Sequence, residues 1–299
     1  MAVHGKRRLS IIGCGDIGLR AARLLHDFYR IYALTRNPLG HKVFRNEGLI
    51  PVPGDLDQLA SLNRISSLGQ DILHFAPPPP EGDHDPRTRH LLAALGKRQI
   101  LPRCLIYIST SGVYGDCHGE WVRETRKPNP VNARAKRRLD AERQLRRWGA
   151  RTGVRVCILR VPGIYAADRL PLERVRKGVP TLVPEEDSYT NHIHADDLAR
   201  IAFAALGKGK PQRIYHAVDD SRTKMGDWFE LLAERYNLPK PQRISRAEAQ
   251  HVLTPGMLSF LNESRRLDNE RIKKELGVKL RYPTVEIGVK EPLKNRNES

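Results

Sequence analysis

Long apolar runs are missing from these 299 residues, and none approaches the roughly 20 residues that a bilayer-spanning helix needs. A membrane partner is therefore not expected. The start, Lys6-Arg7-Arg8 before Leu9-Ser10-Ile11-Ile12, has the outline of a signal peptide. Its apolar part is too short and runs straight into a glycine turn, so it reads as a first strand. Cysteine is scarce too: Cys14, Cys104, Cys117 and Cys157 are scattered with neither paired nor metal-type spacing. That excludes a disulfide framework and leaves no metal site to expect, while free thiols suit a cytoplasmic protein.

Acidic residues are also short, 34 against 52 lysines and arginines, for a net charge of +18. Such a surface attracts phosphate-bearing partners. The densest basic stretch, residues 134–155, interleaves Leu139, Leu145 and Trp148 with its arginines, which predicts an amphipathic helix rather than a disordered tail. No zinc-finger spacing, RNA-binding aromatic motif or helix-turn-helix accompanies it, so no specific nucleic-acid partner is expected. The stretch reads as a basic, solvated face.

What is present is alternation. Short β-rich runs at 9–12, 31–35, 50–53, 72–76, 104–109, 154–160 and 213–218 alternate with helical patterns such as 18–28, 87–98 and 133–149. Pro77-Pro78-Pro79-Pro80 reads as an extended connector. Strands separated by helices of ten or more residues imply crossover units, hence an α/β fold with a doubly wound parallel sheet. The order breaks after Arg160. Residues 161–191 are rich in proline, glycine and charge, and 219–282 carry mostly helical patterns. The expected division is a Rossmann domain of 1–161 and 191–218, a small discontinuous C-terminal lobe of 162–190 and 219–289, and a frayed tail of 290–299.

The strongest local signal is Gly13-Cys14-Gly15-Asp16-Ile17-Gly18, after the first apolar strand and opening a helix. The first glycine permits a tight turn, the second lets backbone approach a pyrophosphate, and the third lets helix pack on strand. Amides of the turn, with Asp16 and Ile17, then face the phosphates of a dinucleotide. The end of the second strand sets which dinucleotide. Instead of an acid that would hold a free ribose, it carries Thr35-Arg36-Asn37, about eighteen residues after Gly18. Arg36 presents a planar fork to a 2′-phosphate, so NADP is expected over NAD. Asp55 and Leu56 after the third strand should border the adenine, and Ala76 and Pro77 after the fourth should line the ribose edge.

Residues 106–116, Ile-Tyr-Ile-Ser-Thr-Ser-Gly-Val-Tyr-Gly-Asp, resemble the fifth-strand motif of the extended short-chain dehydrogenase/reductases, the NAD(P)-dependent epimerase/dehydratase family. The segments 159–165, 191–197 and 215–220 resemble later motifs of that family, in the same order. The resemblance implies a seven-stranded core in order 3-2-1-4-5-6-7, with Ser109, Pro162 and Gly163 beside the nicotinamide. It also implies a hydroxyl after the fifth strand, and a Tyr and Lys four residues apart on the next helix. Thr110 aligns with the hydroxyl, and Ser111 is its neighbour. The tyrosine is absent. Aligning residues 134–142 with the family helix places Arg134 at the tyrosine and Arg138 at the lysine; a shift by two places Asn132 and Lys136 there. The chain's only Tyr-x-x-x-Lys, Tyr236 to Lys240, falls in the C-terminal lobe and reads as coincidence.

An arginine stays protonated and cannot act as a general base. Tyr114, Tyr165, His194 and Asp168 are the candidates to replace the tyrosine, Tyr114 being nearest Thr110 in sequence. The resemblance thus implies an NADP-dependent oxidoreductase or epimerase/dehydratase-like enzyme acting on a hydroxyl or carbonyl substrate, such as a nucleotide sugar. Arg169, Arg174, Arg176 and Lys177 would suit a phosphorylated one. The alternative is a binding module that senses the dinucleotide without turnover. A homodimer through the helices after the fourth and fifth strands is the family habit, which the arginine-rich second helix here makes difficult.

Overall fold

The computed structural model describes residues 6–97 and 100–289. The expected tail and the end of the 87–98 helix lie outside the described residues. Seven strands form one parallel sheet: β1 (Arg7–Ile12), β2 (Tyr29–Thr35), β3 (Ile50–Pro53), β4 (Asp71–His74), β5 (Cys104–Thr110), β6 (Arg155–Val161) and β7 (Arg213–His216), in spatial order 3-2-1-4-5-6-7. Every pairing is parallel, with Leu9 beside Ile31 on one side and Asp71 on the other. The expected order therefore holds.

The sheet's two faces feed two apolar clusters, because alternate strand residues point opposite ways. Ile106 and Ile108 of β5 join one, and Leu105 and Tyr107 join the other. The first cluster is closed by α1 (Asp16–Leu25) and, far along the chain, α5 (Ala195–Lys208), through Ala21, Leu25, Leu198 and Ala202. On the opposite face lie α3 (Pro86–Gly96) and α4 (Ala133–Thr152), through Leu91, Leu95, Leu145 and Trp148. A shorter α2 (Leu39–Asn46) connects β2 to β3. Each buried leucine or isoleucine contributes about 1.5–3 kcal/mol.

The basic stretch is the amphipathic helix expected. Asn132 caps α4 by accepting from the Ala135 amide at 2.9 Å, and Gly153, with φ of 76°, ends it in the left-handed conformation. Its arginine-rich side faces solvent, while Ala135, Leu139 and Leu145 are buried.

Residues after β6 build smaller units. Gly163–Tyr165 pairs with His192–His194, and Thr181–Leu182 with Arg243–Ile244. Tyr165, Val175, Trp228, Phe229 and Val285 make one separate apolar cluster, and Leu182, Ile244, Leu253 and Leu261 another. Two pieces cross the expected division. Trp121–Val122, from the first segment, pairs with Arg266–Leu267. The helix Glu270–Leu276, expected in the lobe, sends Ile272 and Leu276 into the cluster beneath α5. An apolar pair four residues apart needs a large surface to bury against, and the sheet's edge supplies it. Among the described residues, no helix is long and apolar enough to cross a membrane.

Candidate active site

The glycine turn leaves β1 and enters α1. Gly13 has φ of +89°, and a Cβ there would come within 2.3 Å of the Ala76 amide nitrogen, itself bonded to the Ile12 carbonyl at 2.9 Å. Only glycine fits between these two chains. A Cβ on Gly18 would sit 3.2–3.3 Å from Gly13, Cys14 and Ile11, so the third glycine sets how closely helix meets strand. A Cβ on Gly15 would meet nothing within 4 Å. The middle glycine therefore faces an open cradle at the amino end of α1, a shape and polarity that fit a dinucleotide pyrophosphate.

Asp16 does not stand free in that cradle. It accepts from Arg20 at 2.7 Å and from Arg169 at 2.6 Å, while Arg20 also reaches Asp168 at 2.8 Å and Asp196 at 2.6 Å. Burial alone would raise the Asp16 carboxyl, but the two arginines outweigh it and hold the group below the usual carboxylate range. Arg36 is exposed at the end of β2, 4.0 Å from Asp57, whose carboxylate Arg87 grips with two bonds of 2.7 Å. The Asp55 carboxylate accepts from the Asp57 amide at 3.0 Å, Leu56 is buried, and Pro77 is exposed.

At the far end of β5, Thr110 Oγ1 accepts from the Gly112 amide at 3.2 Å, which winds Ser111–Tyr114 into a short 3-10 turn. The bond occupies an acceptor site and leaves the hydroxyl proton free to donate. Ser109, Thr110, Ser111, Pro162 and Gly163 all line one cavity of about 550 Å³. Arg134 and Arg138, one helical turn apart on α4, line it too. Arg138 donates to Tyr107 Oη at 3.0 Å and to the Ile108 carbonyl at 2.7 Å. Arg134 lies over the Phe260 ring at 5.2 Å.

Other members of this cavity come from remote segments, and all but His192 carry no motif. Glu263, Arg265, Trp228, Phe260, Tyr189 and His192 line it. Arg265 donates to the Gly115 carbonyl at 2.6 Å and to Glu263 at 2.9 Å. Burial keeps His192 neutral, its pKa pushed down to about 3, and its Nδ1 has no partner among the described residues. Ser109 Oγ and Arg265 Nε are likewise buried without partners.

Three of the four candidate proton donors are placed away from the cavity. Tyr114 is 1% exposed and donates to His216 Nε2 at 2.6 Å, while His216 Nδ1 donates to the Asp268 carbonyl at 2.9 Å. Burial pushes its phenol up to about 12. Tyr114 packs with Val113, Val122 and Leu139 and does not line the cavity, so its nearness to Thr110 in sequence does not become nearness in the cavity. His194 caps α5 and stacks on Tyr282 at 3.7 Å, and Asp168 is tied to Arg20. Tyr165 does line the cavity, but its hydroxyl donates to the Thr284 carbonyl at 3.3 Å, and burial raises its pKa. Of the four lobe cations, only Arg169 reaches the cavity; Arg174 packs over Phe229 at 4.1 Å, and Arg176 pairs with Glu173.

The geometry is that of a dinucleotide turn adjoining a polar cavity with a hydroxyl at the end of β5. A family model described as NAD dependent epimerase/dehydratase matches residues 13–217. No functionally curated protein matches the chain. Among solved structures, a conserved protein of unknown function from Silicibacter pomeroyi is 30% identical, with a TM-score of 0.80 over 94% of this chain and 96% of that one. UDP-glucose 4-epimerase from Thermotoga maritima, solved with UDP-glucose, is 19% identical, with a TM-score of 0.75 over 94% and 96%. UDP-glucuronic acid 4-epimerase from Bacillus cereus, solved with NAD, is 17% identical, with a TM-score of 0.73 over 94% of each chain. From the turn at Gly13 to the last core strand, the chain belongs to the NAD-dependent epimerase/dehydratase family.

Proposed function

We propose that the protein is an NADP-dependent oxidoreductase or epimerase-like enzyme acting on a hydroxyl or carbonyl of a small substrate, by a slow variant of the family's chemistry. One observation carries this reading: Arg169 lines the cavity and also binds Asp16 in the glycine turn at 2.6 Å, so the two halves of a dinucleotide-dependent site adjoin. Gly13, Gly15, Gly18, Asp16 and Ile17 would hold the pyrophosphate, Arg36 the 2′-phosphate, Asp55 and Leu56 the adenine, and Ala76, Pro77, Ser109, Pro162 and Gly163 the rest. The nicotinamide supplies hydride transfer when bound.

The chain's own residues then divide the remaining work. Thr110 has a free proton to donate to a substrate oxygen. Arg138, tethered to Tyr107 and Ile108, is a fixed positive charge beside any oxygen that gains negative character. Neither it nor Arg134 accepts a proton at a working pH. General acid–base assistance is worth about 10²–10⁴ in rate, so its loss should show in turnover and not in cofactor affinity. The same loss supports a second reading, a dinucleotide-binding module without turnover. A cytoplasmic location belongs to either.

Calorimetry tests the cofactor assignment. A charge-assisted bond from Arg36 to the 2′-phosphate should make NADPH bind about ten- to hundredfold tighter than NADH, and Arg36→Ala should close the gap. Equal affinities in the unaltered protein would refute it.

A further inference from the structure

The cavity's charge is lopsided. Arg134, Arg138, Arg169 and Arg265 line it against a single acid, Glu263. Glu263 is already used, receiving Arg265 at 2.9 Å and Asn132 Nδ2 at 3.3 Å. Three of the arginines are used as well. Arg138 holds Tyr107 and the Ile108 carbonyl, Arg169 holds Asp16, and Arg265 holds Gly115 and Glu263. Arg134 is different: among the described residues it makes no hydrogen bond or ion pair, and only the face of Phe260 backs it. Its place is close to the reacting end, because α4 packs its first turn on the turn after Thr110. A Cβ on Gly112 would lie 4.0 Å from that of Ala135.

We infer that the substrate carries an anionic group, a carboxylate or a phosphate, which Arg134 binds at the wall of the cavity that Thr110 and Arg138 share. The inference rests on reading this cavity as the substrate site. Arg134 is exposed to solvent where it lines the cavity, and a guanidinium fork with all its donors free matches both anions in a bidentate way. The aromatic face behind it restrains the fork at small entropic cost. Ser109 Oγ and His192 Nδ1, both buried and unpartnered on the same cavity, leave further polar positions for a ligand rich in hydroxyls. An arginine at this place trades the family's proton carrier for an anchor. It fixes which end of an anionic substrate faces Thr110.

The test is binding to the NADPH-saturated protein, measured by calorimetry with matched pairs of compounds. Pyruvate against its methyl ester reads the carboxylate. Dihydroxyacetone phosphate against dihydroxyacetone reads the phosphate. UDP-glucuronic acid against UDP-glucose reads a carboxylate on a nucleotide sugar. In at least one pair the member with the additional anionic group should bind ten- to hundredfold tighter, and the pair identifies the anion. Arg134→Gln should abolish that preference, Arg134→Lys should keep part of it, and NADPH affinity should stay within twofold in both. The inference is overturned if no member carrying the additional anionic group outbinds its counterpart by more than twofold, including if none of the six binds. It is equally overturned if the preference survives in Arg134→Gln. Failure of the unaltered protein to bind NADPH or NADH would instead overturn the cofactor reading, which separates the two.

Discussion

The six residues from Ser109 to Tyr114 divide between two regions of opposite character. Ser109, Thr110, Ser111 and Gly112 face the cavity; Val113 and Tyr114 face a buried network below it. That network holds the side chains suited to acid–base work. Tyr114 donates to His216, Arg160 lies over the Tyr114 ring at 4.7 Å, and Glu142 binds Arg160 at 2.7 and 3.1 Å with both members 2% exposed. Every one is shut away from a substrate. In the cavity the arrangement is reversed: the groups reach a ligand but are mostly permanent cations, hydroxyls or a histidine that burial keeps neutral, and the one carboxylate, Glu263, is held by Arg265. Reactive residue types near a motif are thus a poor guide by themselves.

The comparison predicts that the network governs stability and the cavity governs turnover. The largest effect of a single substitution should follow Glu142→Gln, which leaves the Arg160 charge buried and unpaired and should cost about 3–5 kcal/mol in denaturant unfolding. Adding Arg160→Met should recover much of that loss, since it is the orphaned charge that is expensive. A Glu142→Gln variant as stable as the parent would remove the network from the scaffold.

Acid comes next. Burial pushes His216, His192 and His74 from an ordinary value of 6.5 down to about 3. The folded protein keeps them neutral, while the unfolded chain protonates them below pH 6.5, so stability is intact above that pH and falls as acid is added. The slope should approach about 1.4 kcal/mol per pH unit for each histidine, or about 4 for all three, between pH 6 and pH 4. Unfolding free energies that are flat across that range would contradict the burial of these rings.

The smallest effect separates the regions most sharply. Tyr114→Phe leaves His216 Nε2 without its donor and should cost about 1–3 kcal/mol of stability, with NADPH affinity and turnover changed less than twofold. Thr110→Val should do the opposite, cutting turnover at least tenfold while leaving NADPH affinity unchanged. Loss of turnover in Tyr114→Phe at full stability would return that tyrosine to the chemistry.

Much of the fold was readable because its signals are local. Periodic apolar runs placed all seven strands within a few residues, and the glycine spacing located the turn that Gly13 and Ala76 allow only a glycine to make. Arg134 and Arg138 were flagged by alignment and do stand on the cavity. Two things were not readable. Tyr114 was misplaced because a 3-10 turn rotates side chains out of the alternation a strand would give. Glu263, Arg265, Trp228 and Phe260 were missed because none belongs to a motif and each lies more than a hundred residues from Thr110.

By itself, then, the sequence determined the alternation of strands and helices and the glycine turn, since each depends on periodicity or on residue types at fixed short spacing; the strand order followed from the family resemblance. Only the tertiary structure decided which polar groups see a substrate. Exposure to a cavity depends on what the rest of the chain packs over a residue. Segments from 162 to 265 close over Thr110 and Arg134, spend three of the cavity's four arginines on internal partners, and leave one with its fork free.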